Sequence, residues 1–246
     1  MQEQLWFTEI LNRAVGGPVN ALLEKLPAPF HPADAATPIT NAVAMEVLVV
    51  GFILLLFLLV RSGLSVDKPG KLQHMFEMLH GFIADQCESI IGHGGKRFAP
   101  YLTSLGFLIL FCNLIGLIPG FESPTADPTV PLGCAFVTFI FYNLHGLREQ
   151  GVWGYIKHFM GPVWWMAWLL LPIELISHLA RVMSLTIRLY ANIFAGDMVT
   201  LAFFTLVPVG IPVIFLLLHV GVSFLQTYIF ILLTTIYLQG AVSHEH

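Results

Sequence analysis

The sequence predicts an all-α protein that crosses a membrane several times, and three observations carry that prediction. Of its 246 residues, 57% are hydrophobic and only 11% are charged. Several uncharged runs are long enough to span a bilayer, and the last two apolar segments are too long for simple upright spans. A net charge of −4, thinly spread, argues against a nucleic-acid partner and leaves the lipid bilayer as the obvious one.

Residues 1–42 form the expected extramembrane segment, a short polar helix carrying Glu3, Glu9, Arg13, Glu24 and Lys25 that gives way to a proline-rich approach containing Asp34. They are not read as a secretory signal, because the first apolar run begins only after residue 42. Residues 43–240 are expected to form a single integral membrane domain. Its first span is 43–60, long enough at ~1.5 Å per residue to cross most of the hydrocarbon. Glu46 falls near the outer end of that span and is expected to be solvated. In 71–92, Leu72, Met75, Phe76, Leu79, Phe82, Ile83, Ile90 and Ile91 keep helical spacing while Gln73, His74, Glu77, His80, Asp85 and Glu88 fill the other side. That pattern predicts a helix lying in the interface.

Two more spans, 100–118 and 129–147, flank the turn 119–128. Arg61, Lys68, Lys71, Lys96 and Arg97 lie between the first two spans, Arg148 and Lys157 follow the third, and the turn has no basic residue. By the positive-inside rule the turn and the N-terminus are outside, although Arg13 and Lys25 dilute the signal. The segment 163–206 is then helical for some 40 residues, roughly 60 Å at ~1.5 Å per residue and about twice the hydrocarbon thickness. It must tilt, bend or begin along the surface. Pro208, Gly210 and Pro212 break it, and 211–238 returns, completing about five membrane-embedded helices with a long C-terminal hairpin. Cys87, Cys112 and Cys134 form no CxxC pair and are expected to be small hydrophobes. The tail His244-Glu245-His246 lacks further ligands, so no metal site is expected there.

Arg188 lies within this apolar hairpin. A guanidinium stays charged, and holding one at bilayer depth costs from ~2.5 to over ~10 kcal/mol, so it needs a partner or a task. At ~100° per residue, Glu174, Ser177, Arg181, Ser184 and Asn192 all fall within about 40° of Arg188, whereas Asp197 lands about 180° away. On the last helix His219, Ser223, Gln226 and Tyr237 share a second stripe, which lets the hairpin set Asp197 near His219. Titratable groups, hydroxyls and amides at this depth suit a water-filled proton path, and the arginine face suits a sliding partner that brings its own carboxylate. The arginine would favour that carboxylate's ionised form and repel hydronium. Other readings stay open for individual residues. Arg181 is expected to reach a headgroup or Glu174, Glu174 and His178 are spaced to pair, and a lone membrane histidine such as His219 is more often a packing residue.

The run Ser184-Leu-Thr-Ile-Arg188-Leu-Tyr-Ala-Asn192-Ile-Phe-Ala-Gly196-Asp197 resembles the signature of the membrane-embedded a subunit of F-type rotary ATP synthases. Asn113-Leu-Ile-Gly-Leu-Ile-Pro119, Pro124-Thr-Ala-Asp127, Glu174 and Leu225-Gln226 are similar to family positions in order and approximate spacing, over roughly 40–240. The resemblance implies a non-catalytic stator whose arginine, here Arg188, faces a ring of c subunits between two aqueous half-channels. It also implies b-type peripheral stalk subunits as partners. Asn192 and Gln226 would support the arginine at the ring, and Glu174, Asp197 and His219 would line proton routes. Asp197 departs from the Glu or His often found in the family. No cofactor is implied, and with nothing like a P-loop in the chain, ATP chemistry falls to a partner. Protons are the expected coupling ion, with sodium open because ring ligands largely choose it, and a bacterial inner membrane is the expected location. A secondary transporter or channel with an intramembrane charged site is the rival reading, weakened by the lack of paired halves. A scaffold with snorkelling arginines is disfavoured by the distance of Arg188 from any polar loop.

Overall fold

The structure is a computed structural model that describes residues 5–23, 25, 38–65, 70–118, 120–160, 167–206 and 210–242. The first residues of the expected 163–206 span, the break at Pro208 and the terminal His244-Glu245-His246 lie outside the described residues. Among those described there are helices and turns and no strand. The helices are α1 (Trp6–Leu23), α2 (Asn41–Ser62), α3 (Lys71–Ile91), α4 (Ala99–Ile115), α5 (Thr129–Met160), α6 (Ala167–Leu206) and α7 (Ile211–Val242). Five of these elements are long and apolar enough to cross a membrane, so the chain is an all-α polytopic membrane protein.

The first helix is not polar all round, as the sequence had suggested. Trp6 and Ile10 are exposed on it beside the surface pair Arg13–Glu9. Its inner side is tied to the chain ahead of α2, where Asn12 Nδ2 donates to the Ile39 carbonyl and Asn12 Oδ1 accepts from the Ile39 N–H. Thr40 caps α2 by accepting from the Val43 N–H. That helix shows most of its length outward and meets α4 through an aromatic seam, with Phe52 on Phe111 and Phe57 on Phe107. Glu46 is half-buried there rather than fully solvated, because it sits near Cys112 and Cys134 on the neighbouring spans. All three cysteines are free and buried.

The amphipathic helix α3 divides differently from the sequence pattern. Leu72, Met75, Met78, Leu79 and Phe82 remain exposed as an apolar face of the protein, as suits a helix lying against lipid. Gln73, assigned to the polar side from sequence, is buried instead. Its amide accepts from the Ser65 N–H, donates to the Ser65 carbonyl and donates to Glu77 Oε1 at 2.8 Å. It thereby satisfies backbone groups of the loop that follows α2. A hook then leads into α4. Gly92 and Gly94 adopt φ of 87° and 89°, and the Cys87 carbonyl packs where a side chain on Gly95 would lie.

More than half of the α4 span is buried, against less than a fifth of the α2 span, which makes α4 the central helix. Phe98, Leu102, Tyr142 and Leu238 form one core cluster. Ile109, Ala135, Leu185, Leu189, Ile193 and Phe230 form the next. The span 129–147 runs on into a longer α5 that kinks at Gly151, where φ is 71°. The end of α4 and the turn after it are locked by a buried polar cluster. Ser123 Oγ donates to the Cys112 carbonyl, and Thr125 Oγ1 donates to Asn113 Oδ1 at 2.6 Å. At the opposite end, Arg97 Nη1 lies 2.7 Å from Glu149 Oε1 and Gln150 Nε2 donates to the Ala241 carbonyl, tying the turn ahead of α4 and the end of α7 to α5.

Candidate functional site

The polar groups of α6 are sorted by which arc of the helix packs. His178, Val182, Leu185, Thr186, Leu189 and Ile193 are buried, and at ~100° per residue they centre about a quarter-turn from Arg188. Arg188 therefore stands at one edge of the packed seam and Asp197 at the other. Arg188 is half-buried, and one of its nitrogens donates to Ser184 Oγ at 3.3 Å. Among the described residues no acidic side chain forms an ion pair with it. One turn further on, Asn192 Nδ2 donates to Gln226 Oε1 of α7 at 2.7 Å, a bond that fixes the two helices in register beside the guanidinium.

Asp197 and His219 are brought together across the hairpin, with Oδ1 3.6 Å from Nδ1. His219 is 5% exposed, and its Nε2 is buried without a hydrogen-bond partner among the described residues. The imidazole lies so close to α6 that a Cβ on Gly196 would sit 2.9 Å from Nδ1, so position 196 has no room for a side chain unless the ring moves. A cavity of about 250 Å³ adjoins this pair, lined in part by Asn192, Thr200, Phe215 and His219.

The other end of the stripe holds a second cluster. Glu174 Oε1 lies 3.5 Å from His178 Nε2 and 3.8 Å from Arg181. The Arg181 guanidinium sits over the Tyr237 ring. Of the two destinations open to Arg181 from sequence, the structure places it on Glu174. Ser177 is half-buried in the same stripe. Fourteen residues separate Glu174 from Arg188 and nine separate Arg188 from Asp197, so the two clusters bracket the arginine along roughly 35 Å of helix at ~1.5 Å per residue.

With this geometry in view, residues 43–239 match the family described as ATP synthase A chain. The chain belongs to that family. It is 58% identical over the full length of both chains to a protein of Koribacter versatilis called ATP synthase subunit a. It is 50% identical to the protein of the same name from Solibacter usitatus, over 87% of this chain and 92% of that one. The corresponding protein of Geotalea uraniireducens is 39% identical over 90% and 95%.

Two features of this family member escaped sequence reasoning. Tyr142 was not singled out, yet its Oη lies 2.8 Å from His178 Nδ1 and it is almost wholly buried; a lone tyrosine in an apolar run carries no periodic signal. The hydroxyls of α7 are also less free than their positions suggest. Ser223, Thr227, Thr234 and Thr235 donate to the carbonyls of His219, Ser223, Phe230 and Ile231, so their protons are committed to their own helix. The imidazole, carboxylate and amide groups are left as the polar groups of α6 and α7 with adaptable partners.

Proposed function

We propose that this chain is the proton-conducting stator of an F-type ATP synthase. In this reading it provides two aqueous half-channels and an arginine facing the ring of c subunits, coupling proton flow to ring rotation and to ATP synthesis by partner subunits. It conducts rather than catalyses, and b-type peripheral stalk subunits hold it against the ring in a bacterial inner membrane. Residues 1–42 remain outside the membrane, and 43–240 act as one membrane domain.

The single observation that carries the proposal is Arg188 itself, a charge within a membrane helix whose hydrogen bond goes to a neutral serine and which pairs with no acidic group among the described residues. Such a cation is costly unless an acidic group arrives from outside the chain. A protonated ring carboxylate sliding into its field is favoured to ionise, and the released proton leaves through one polar cluster while the other reloads the next carboxylate. Asn192 and Gln226 hold the helices at the ring face, and Ser184 orients the guanidinium. Asp197 with His219 lines one route and Glu174 the other, with Ser177 and Arg181 supporting the stripe between.

The test is the assembled complex in sealed vesicles. Arg188→Ala is expected to abolish gradient-driven ATP synthesis while the complex still assembles. A variant that synthesises ATP at the wild-type rate would falsify the assignment. Cysteines at Ser184 or Asn192 are expected to crosslink to an outer helix of the ring, whereas cysteines at Asp197 and His219 crosslink to each other within the chain.

A further inference from the structure

The Glu174 cluster has a construction that a packing role alone does not require. His178 is 7% exposed, and each of its ring nitrogens faces a polar atom. Nδ1 is 2.8 Å from Tyr142 Oη, and Nε2 is 3.5 Å from Glu174 Oε1. The Tyr142 ring stacks on the imidazole at 5.7 Å, and the edge of Phe139 closes the side at 6.1 Å. The imidazole is thus clamped in one orientation by α5. Glu174, by contrast, is only partly covered, with its side chain 35% exposed. The carboxylate stands at the rim and the histidine one turn inside it.

We infer that His178 exchanges a proton with Glu174, and that Tyr142 is the positioning residue that fixes which ring nitrogen does so. The inference rests on reading Glu174 as a member of a proton route. With Nδ1–H donated to Tyr142 Oη, the neutral imidazole turns its bare Nε2 towards the carboxyl group. In the inward step the O–H bond of protonated Glu174 breaks and an N–H bond forms at Nε2, leaving a carboxylate beside an imidazolium. In the outward step that N–H bond breaks and the O–H bond re-forms. A modest rotation of the glutamate closes the 3.5 Å gap, as contacts of this kind tighten when the proton is shared. Among the described residues, the titratable and charged groups that face the pair are Tyr142 from α5, Arg181 from α6 and Tyr237 from α7. Guanidinium and phenol groups do not ordinarily change charge near pH 7. That leaves the histidine as the member of the cluster whose kind ordinarily changes charge near neutrality.

The arrangement gives the two clusters that bracket Arg188 along α6 the same chemistry, one imidazole and one carboxylate each, with the imidazole on α7 in one and on α6 itself in the other. A histidine that merely staples α5 to α6 needs only the Tyr142 contact. The second contact, to the exposed carboxylate, is what a staple does not use.

The experiment measures proton flux through the assembled complex in liposomes between about pH 5 and 8, where an imidazole changes charge. His178→Gln keeps a hydrogen-bonding amide of similar reach but cannot take up a proton. Flux is expected to fall about tenfold, with its pH dependence flattened across that window. Tyr142→Phe keeps the ring and loses the oxygen, so it is expected to cost about threefold and to displace the profile without flattening it. A His178→Gln profile parallel to the wild type, at any absolute rate, overturns the inference and leaves the residue a staple. Should His178→Gln fail to assemble, Tyr142→Phe decides alone, and an undisplaced profile overturns it. Arg188→Ala is measured alongside. Loss of synthesis there together with a wild-type His178→Gln profile overturns only this inference, whereas wild-type synthesis in Arg188→Ala overturns the stator reading beneath it.

Discussion

Two polar regions of this membrane domain are built on opposite terms. In the turn after α4, Ser123, Thr125 and Asn113 are buried and bonded to one another and to the Cys112 carbonyl, and a Cβ on Gly116 would lie 2.7 Å from the Ser123 side chain. On α6, Arg188 is half-buried, bonded to a single serine, and aimed away from the packed seam. Polar groups that bond one another in a buried turn act as fasteners, although Asn113 Nδ2 has no partner there among the described residues, while a charge left under-coordinated at an open face is costly until a partner meets it. The contrast separates structure from function more sharply than burial alone, because both regions contain groups that would be costly if left unmet.

The largest effect tests the open face. Arg188→Lys keeps the positive charge but replaces a planar fork of donors with a point donor that can lose its proton when desolvated. Gradient-driven synthesis is expected to fall by about a hundredfold or more, and a variant that retains half of the wild-type rate would show that a simple positive charge suffices. Next comes the pair across the hairpin. Asp197→Asn preserves shape and removes charge, so proton entry is expected to slow several-fold with assembly intact. The exchange Asp197→His with His219→Asp should recover part of that rate if the residues act as a unit, whereas losses that simply add would show that they serve separate paths. The fastener is tested by Thr125→Val, which strands the Asn113 amide oxygen in a fully buried site. The expected cost is about 1–3 kcal/mol of stability with proton flux per assembled complex unchanged, read from thermal unfolding and flux measured on the same preparation.

The smallest effect belongs to the hook between α3 and α4. Lys96 holds the Glu88 carboxyl below its ordinary value of 4.5, by a hydrogen bond first and by its charge second. A carboxyl with a lowered folded value adds stability above its unfolded value, and loses it as pH falls through the folded one. Wild type and Glu88→Gln are therefore expected to differ slightly at neutral pH and to converge well below pH 4.5, and melting temperatures across an acid series check the sign. The pair is solvent-exposed, so the difference at neutrality should be small.

The helices, the amphipathic character of α3 and the approach of Asp197 to His219 were legible because each rests on a period. Apolar residues repeat at helical spacing, and the stretch of α6 from Glu174 to Asp197 fixes the relative angles of Glu174, Arg188 and Asp197 whatever the helix packs against. What escaped depends on contacts between elements. Gln73 has the composition of a solvent-facing residue and is buried because the Ser65 backbone needed both its amide groups. The requirement for glycine at 196 arises only once the His219 ring is seen against it. Tyr142 and His178 are 36 residues apart, beyond the reach of any local pattern. Trp6 and Ile10 made α1 more amphipathic than its charges implied, since the weight of an exposed aromatic depends on which side of the helix is tied down.

The angular plan of α6 has one more consequence. Between the Arg188 edge and the Asp197 edge, one way around the helix leads through Leu185, Leu189 and Ile193, packed and dry. The other way passes Met183, Ile187, Phe194 and Met198, apolar and exposed. Each arc is mostly hydrocarbon, and the Thr186 hydroxyl on the packed side is committed to the Val182 carbonyl of its own helix. In the stator reading proposed above, the helix acts as an insulating bushing about 10 Å across between the two proton routes. In that reading, a single residue inserted between 188 and 197 swings one edge by about 100° and is expected to join the two routes.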